Sequence, residues 1–183
     1  LNVDYPFQLK GILYFPKLKH EFETIEGQVK LYCNQVFVAD NIKEVIPEYL
    51  LLLKGCIDSL DLPLNVSRSF LQNDGTVKKI SAHITKKVAD KLTWLFENDR
   101  DSYCKYWDSI NPFIKYGCLR EEKFYERIGE HIIFKTINDD YKTVKEYLDE
   151  FAKTVAEETD DAEKTDKTET KIVYYVSDVK QQA

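Results

Sequence analysis

The chemistry available to this sequence concentrates in residues 58–75, DSLDLPLNVSRSFLQNDG. Leu60, Leu62 and Leu64 alternate there and predict a segment pinned to a domain body, and Pro63 stiffens it. Asn65, Ser67, Arg68 and Gln72 then gather polar side chains ahead of the next helix. A guanidinium carries a planar fork of donors matched to phosphate oxygens. One Arg supplied from another domain can stabilise charge developing on a transferred phosphoryl group. The pattern alone leaves a plainer alternative open, in which Ser67 caps a helix and Arg68 is an ordinary surface residue. A connection of this length inside a compact domain is uncommon unless it has a task.

No self-contained active site accompanies it. The sequence holds neither G-x-x-x-x-G-K-[ST] nor G-x-G-x-x-G, and its six glycines (11, 27, 55, 75, 117 and 129) are too dispersed to cradle phosphate. G-x-S-x-G is absent as well. Cys33, Cys56, Cys104 and Cys118 form no C-x-x-C, and His20, His83 and His131 are scattered, so a metal site is not expected. Four thiols in a reducing cytosol is the plain reading. The carboxylate pairs Asp58/Asp61 and Glu121/Glu122 lie in polar stretches that predict exposure rather than catalysis. Asn65-Val66-Ser67 fits the glycosylation sequon but means nothing in a cytosolic protein.

The elements that would position the 58–75 loop follow from periodicity. Residues 5–15 alternate, with Phe7, Leu9, Leu13 and Phe15 on one face and Ile12 and Tyr14 on the other, which predicts a strand partly buried on both sides. Residues 29–38 read as a second strand with Val29, Leu31, Cys33 and Phe37 inward, joined to the first by a polar loop and paired with it. Pro47 suits the first turn of a helix through Leu53 that Gly55 would cap, with Cys56-Ile57 a short strand after it. Val77, Ile80, Ile84, Val88, Leu92 and Leu95 recur at helical spacing, while Lys78, Lys79, Lys86, Lys87 and Asp90 fall off that line as a solvated face. Residues 101–135 are aromatic-rich and mostly helical in pattern, divided by Pro112 and Gly117, and a short helix is expected from Val144 to Phe151. Residues 157–171 hold seven acids and three lysines and read as a solvated linker, after which 172–176 reads as a strand.

Composition bounds the rest. The 183 residues are 43% hydrophobic and 13% aromatic, enough for a real core. A net charge of -6 argues against nucleic acid or an anionic membrane as partner. No apolar run approaches the ~18–20 residues of a membrane span. The sequence starts at Leu1 and contains no Met, as expected of an excised fragment.

At the loop the sequence resembles a known family. DLPLNVSRSFLQ (61–72) is similar to the catalytic-loop signature in the middle domain of the ninety-kilodalton heat-shock chaperones. FQLKGILYFPK (7–17), VKLYCNQVFVADN (29–41), IPEYLLLLKGCIDS (46–59), INPFIKYGCLRE (110–121) and TVKEYL (143–148) resemble further family segments in the same order. The resemblance implies an N-terminal domain that binds ATP with Mg, to which the middle domain lends the Arg of its S-R motif. That Arg falls at Arg68, the supporting Gln at Gln72, and Asn65 and Ser67 shape the loop. It also implies client proteins as partners and a homodimeric parent. Ser69 departs from the acidic residue many members carry there, and the acidic stretch near 152–171 looks longer than usual.

The expected architecture is a layered α/β sandwich with a mixed sheet, a small helical segment and the start of a second α/β unit. Its expected parts are an α/β subdomain over 1–100, a helical segment over 101–151, an acidic linker over 152–171 and a first strand over 172–183. The isolated segment is expected to lack enzymatic activity, and its parent to be a cytoplasmic ATPase chaperone. A non-catalytic interaction module is the other reading.

Overall fold

In the computed structural model, residues 1–17, 29–40, 42–62, 75–158 and 173–176 are described. The chain divides into two units, Leu1–Gly129 and Glu130–Ala183. The first is built on a five-stranded sheet. Its strands are β1 (Asn2–Val3), β2 (Leu9–Tyr14), β3 (Val29–Cys33), β4 (Val36–Asp40) and β5 (Lys54–Asp58), in the spatial order β1-β2-β5-β3-β4. β5 runs antiparallel to β2 and parallel to β3, so the sheet is mixed, as expected. The two strands read as a pair, β2 and β3, are separated by β5.

Alternation sets the faces. Leu9, Val29, Leu31 and Ile57 point inward and are buried. Burial of a side chain such as Ile57 contributes about 1.5–3 kcal/mol. On the other face Ile12 is 70% and Tyr14 54% exposed, so the expected burial on both sides holds for one side only. Phe7, just ahead of β2, meets the His83 ring edge to face at 5.6 Å and ties this core to the long helix that follows.

Three local readings change. The single strand predicted over 29–38 is a hairpin, β3 and β4, turning at Asn34 (φ 51°) and Gln35 (φ 65°). Two consecutive left-handed residues make a tight primed turn, more commonly Asn-Gly. Phe37 consequently lies opposite Tyr32, touches its ring at 5.8 Å, and is 54% exposed rather than inward. The helix predicted through Leu53 is one turn of 3₁₀ helix, Glu48–Leu50. Gly55 is not its cap but the second residue of β5, with φ 137°. A Cβ there would lie 1.9 Å from the Ile12 carbonyl oxygen, so only glycine lets β2 and β5 approach.

Helix α1 spans Gly75–Asn98 and buries Val77, Ile80, Ile84, Ala89 and Leu92. Val88 and Leu95 are half-buried, and Lys78, Lys79, Lys86, Lys87 and Asp90 are exposed as the spacing predicts. Asp99 alone separates α1 from α2 (Arg100–Arg120), and its carboxylate caps α2 by accepting from the Ser102 amide at 3.2 Å. α2 runs unbroken through Pro112 and Gly117, against the expected division. Pro112 removes the amide that would reach the Asp108 carbonyl. The Asn111 side chain donates to that carbonyl at 3.2 Å and to Trp107's at 3.1 Å. Gly117 serves packing: a Cβ there would stand 2.7 Å from the Tyr49 ring and 3.0 Å from Phe124, which lies in α3 (Glu122–Ile128). Tyr103 stacks on Trp107 at 5.2 Å and takes the Phe96 ring edge-on at 5.5 Å, filling the helical core.

In the second unit the segment read as helical to residue 135 ends in a strand. β6 (Ile133–Lys135) pairs with β7 (Tyr141–Thr143), and α4 (Val144–Glu158) follows at once. α4 extends past the predicted end at Phe151 into the stretch read as linker. Its start is a reciprocal cap: Thr143 Oγ1 accepts from the Glu146 amide at 3.1 Å, and Glu146 Oε2 accepts from the Thr143 amide at 2.7 Å. Among the described residues no helix is long and apolar enough to cross a membrane.

Replacing Gly55 with Ala is predicted to cost about 2 kcal/mol or more through the left-handed backbone and the clash with β2. Denaturant titration checks this, and an unchanged midpoint contradicts it. Thr143→Ala is predicted to cost about 1 kcal/mol and to speed amide exchange in the first turn of α4, read by hydrogen–deuterium exchange.

Candidate functional site

Asn65, Ser67, Arg68 and Gln72 fall within residues 63–74, outside the described residues. What is described is the chain on either side of that segment: β5 and residues 59–62 precede it, and α1 begins at Gly75 after it.

The departing end is strongly tied. The Ser59 amide donates to the Tyr32 carbonyl of β3 at 3.1 Å. The Ser59 hydroxyl donates to the Gln8 carbonyl at 2.7 Å, and the Gln8 amide donates to Asp61 Oδ2 at 2.6 Å. The Cys33 thiol donates to the Leu62 carbonyl at 2.9 Å. Asp58 Oδ2 accepts from the Gln35 amide at 3.0 Å, joining the end of β5 to the β3–β4 turn. Leu62 is buried as the alternation of leucines predicted, whereas Leu60 is 54% exposed; Leu64 lies outside the described residues.

The sequence reading missed Ser59, Gln8 and Cys33 and set Asp58 and Asp61 aside as exposed acids. Their partners stand 23 to 53 positions away along the chain, where no local period could reveal them.

Several other titratable groups are shifted by burial in the core. Burial lowers the pKa of His83, helped by Lys87 and Lys86. Burial raises Tyr49, opposed by its hydrogen bond with Thr85, and raises Tyr103 further. It pushes the Cys118 thiol up to about 11 and lowers Lys115. A thiol so raised is protonated at neutral pH and a poor nucleophile. Among the described residues no group of three or more His, Cys, Asp or Glu side chains is placed to hold a metal. Arg127 pairs with Asp90 at 3.6 Å, and Lys91 Nζ sits 3.9 Å above the Trp94 ring, which accounts for charges of α1 and α3 through neighbours on the same surface.

Comparison with known proteins fits this frame. The Hsp90 protein family matches residues 1–161. Chaperone protein HtpG of Porphyromonas gingivalis is 53% identical over 147 residues, covering 80% of this chain and 22% of that protein. The protein of the same name from Bacteroides thetaiotaomicron is 50% identical over the same length and shares. That from Roseobacter denitrificans is 36% identical over 143 residues, 75% of this chain and 23% of its own length. The chain belongs to the Hsp90 family, the one its loop and flanking segments resemble. It spans about a fifth of the length of these relatives.

Because the folded chain favours neutral His83, its contribution to stability is present above the unfolded value of about 6.5 and is lost as pH falls through the lower folded value. The His83 ring is therefore predicted to titrate below 6.5 by NMR; a midpoint at or above that contradicts the packing described.

Proposed function

We propose that this chain is the middle segment of an ATP-dependent molecular chaperone. In this reading it binds client proteins and supplies Arg68 to the terminal phosphate of ATP held by an N-terminal domain of the same polypeptide. The observation that carries the proposal is the family match over residues 1–161, which includes the loop sequence DLPLNVSRSFLQ at 61–72. The tied departure of that segment from β5 supports it, since a residue that must meet a ligand bound elsewhere benefits from a fixed base.

Arg68 acts by charge. Its fork stabilises negative charge that spreads over the phosphoryl oxygens as the bond to the leaving group lengthens. Gln72 supports the same contact, and Asn65 and Ser67 shape the loop. The nucleotide and its Mg belong to the N-terminal domain, so this segment alone is proposed to have no ATPase activity. The parent is proposed to be a cytoplasmic homodimer, consistent with four free thiols.

Client contact is assigned to exposed apolar surface, because a partly unfolded polypeptide offers mainly hydrophobic groups. The outward face of the sheet carries Ile12, Tyr14 and Phe37, each more than half exposed. That same surface favours a second reading, a protein-interaction module with no part in hydrolysis.

Arg68→Ala in the full-length protein separates the two. The catalytic reading predicts a turnover loss of about tenfold or more with little change in nucleotide affinity, because the contact forms mostly in the transition state. Single-turnover hydrolysis and nucleotide titration measure both quantities. Unchanged turnover leaves the interaction module as the surviving reading.

A further inference from the structure

We propose that Ser59 and Asp61 are positioning residues, which set the direction in which the segment carrying Arg68 leaves the sheet; this rests on the role proposed for Arg68 above. The backbone ladder between β2 and β5 ends at the pair Lys10 and Asp58. One step further, Gln8 stands opposite the stretch 59–61. Its amide and its carbonyl are both satisfied by side chains: Asp61 Oδ2 accepts from the amide at 2.6 Å, and the Ser59 hydroxyl donates to the carbonyl at 2.7 Å. Two side chains thus replace the next rung of the ladder while the backbone of 59–61 turns away.

On the opposite side of β5 the chain is tied to β3. The Ser59 amide reaches the Tyr32 carbonyl at 3.1 Å and the Leu62 carbonyl accepts the Cys33 thiol at 2.9 Å. The exit is therefore held from both neighbouring strands. Ser59 is 1% exposed and Leu62 2%, so these two residues are held out of water, while the Asp61 bond lies at the surface. A hydrogen bond to a charged acceptor, such as that of Asp61, is stronger than a neutral one.

Arg68 follows Leu62 by six positions. Extended chain spans at most about 3.3–3.6 Å per residue, so that separation reaches ~20 Å. Reacting groups misplaced by about 1 Å lose on the order of 10²-fold in rate, so a base that fixes where this segment starts bears on the reaction. The exit bonds act on where the guanidinium goes and not on how ATP is held. Their loss is thus expected in kcat and not in KM.

The experiment is steady-state ATPase kinetics on the full-length protein with Asp61→Ala, Asp61→Asn and Ser59→Ala, each alone and combined with Arg68→Ala. Asp61 is exposed, so its variants test the idea even where Ser59→Ala fails to fold. Asp61→Ala is expected to lower kcat about three- to tenfold, on the order of an ordinary net hydrogen bond in an exposed position, with KM within about twofold. Asp61→Asn, which keeps an acceptor, is expected to restore most of the rate. In the Arg68→Ala background Asp61→Ala is expected to add nothing, since residues acting through one group are non-additive. Equal losses in both backgrounds, or no loss from Asp61→Ala while Arg68→Ala is slow, overturn the positioning role and leave the Arg68 role standing. If Arg68→Ala itself turns over normally, the Arg68 role fails and the positioning role fails with it.

Discussion

The central strand β5 carries the constraint on which the first unit depends. It hydrogen-bonds antiparallel to β2 and parallel to β3, so both halves of the sheet meet on its five residues. That meeting requires Gly55, because the Ile12 carbonyl occupies the space a Cβ would need. Ile57, two residues later, faces Gly11 on one side and Leu31 on the other and is fully buried. Residues 59–62, which follow β5, are bonded to both neighbouring strands, and the proposed catalytic segment is attached there.

The helices answer the same need by different means. α1 and α2 are separated by Asp99 alone, which closes one helix end and caps the next. α2 stays continuous across Pro112 because Asn111 supplies a side-chain donor where the backbone has none. Gly117 then lets Tyr49 and Phe124 close over the helix, joining the 3₁₀ turn before β5 to α3. The strand that launches the segment and the helix pair beyond it are bound into one core by contacts that would not survive a larger side chain at Gly117.

Much of this was legible in the sequence, and the failures have physical causes. The α1 stripe was read correctly because a long amphipathic helix repeats its signal many times. The β3–β4 hairpin was not, since Asn34-Gln35 lacks the glycine that usually marks such a turn. Gly55 and Gly117 read as punctuation in the sequence, whereas both serve close approach between elements distant in sequence. Pro112 reads as a break because its repair depends on the side chain next to it, that of Asn111. The family was legible from six segments in order. Arg68, Gln72, Asn65 and Ser67 were named from the loop sequence and lie outside the described residues, while the bonds that root their segment join positions too far apart for any pattern to expose.

The turn at Asn34-Gln35 has a wider bearing. A left-handed glutamine is costly, by roughly 1 kcal/mol or more, and its amide is held by the carboxylate of Asp58 at 3.0 Å. The outermost hairpin is thus latched to the last residue of the innermost strand, across β3. Opening of that turn would therefore leave the Asp58 carboxylate, at the very end of the central strand, without the amide that it now holds.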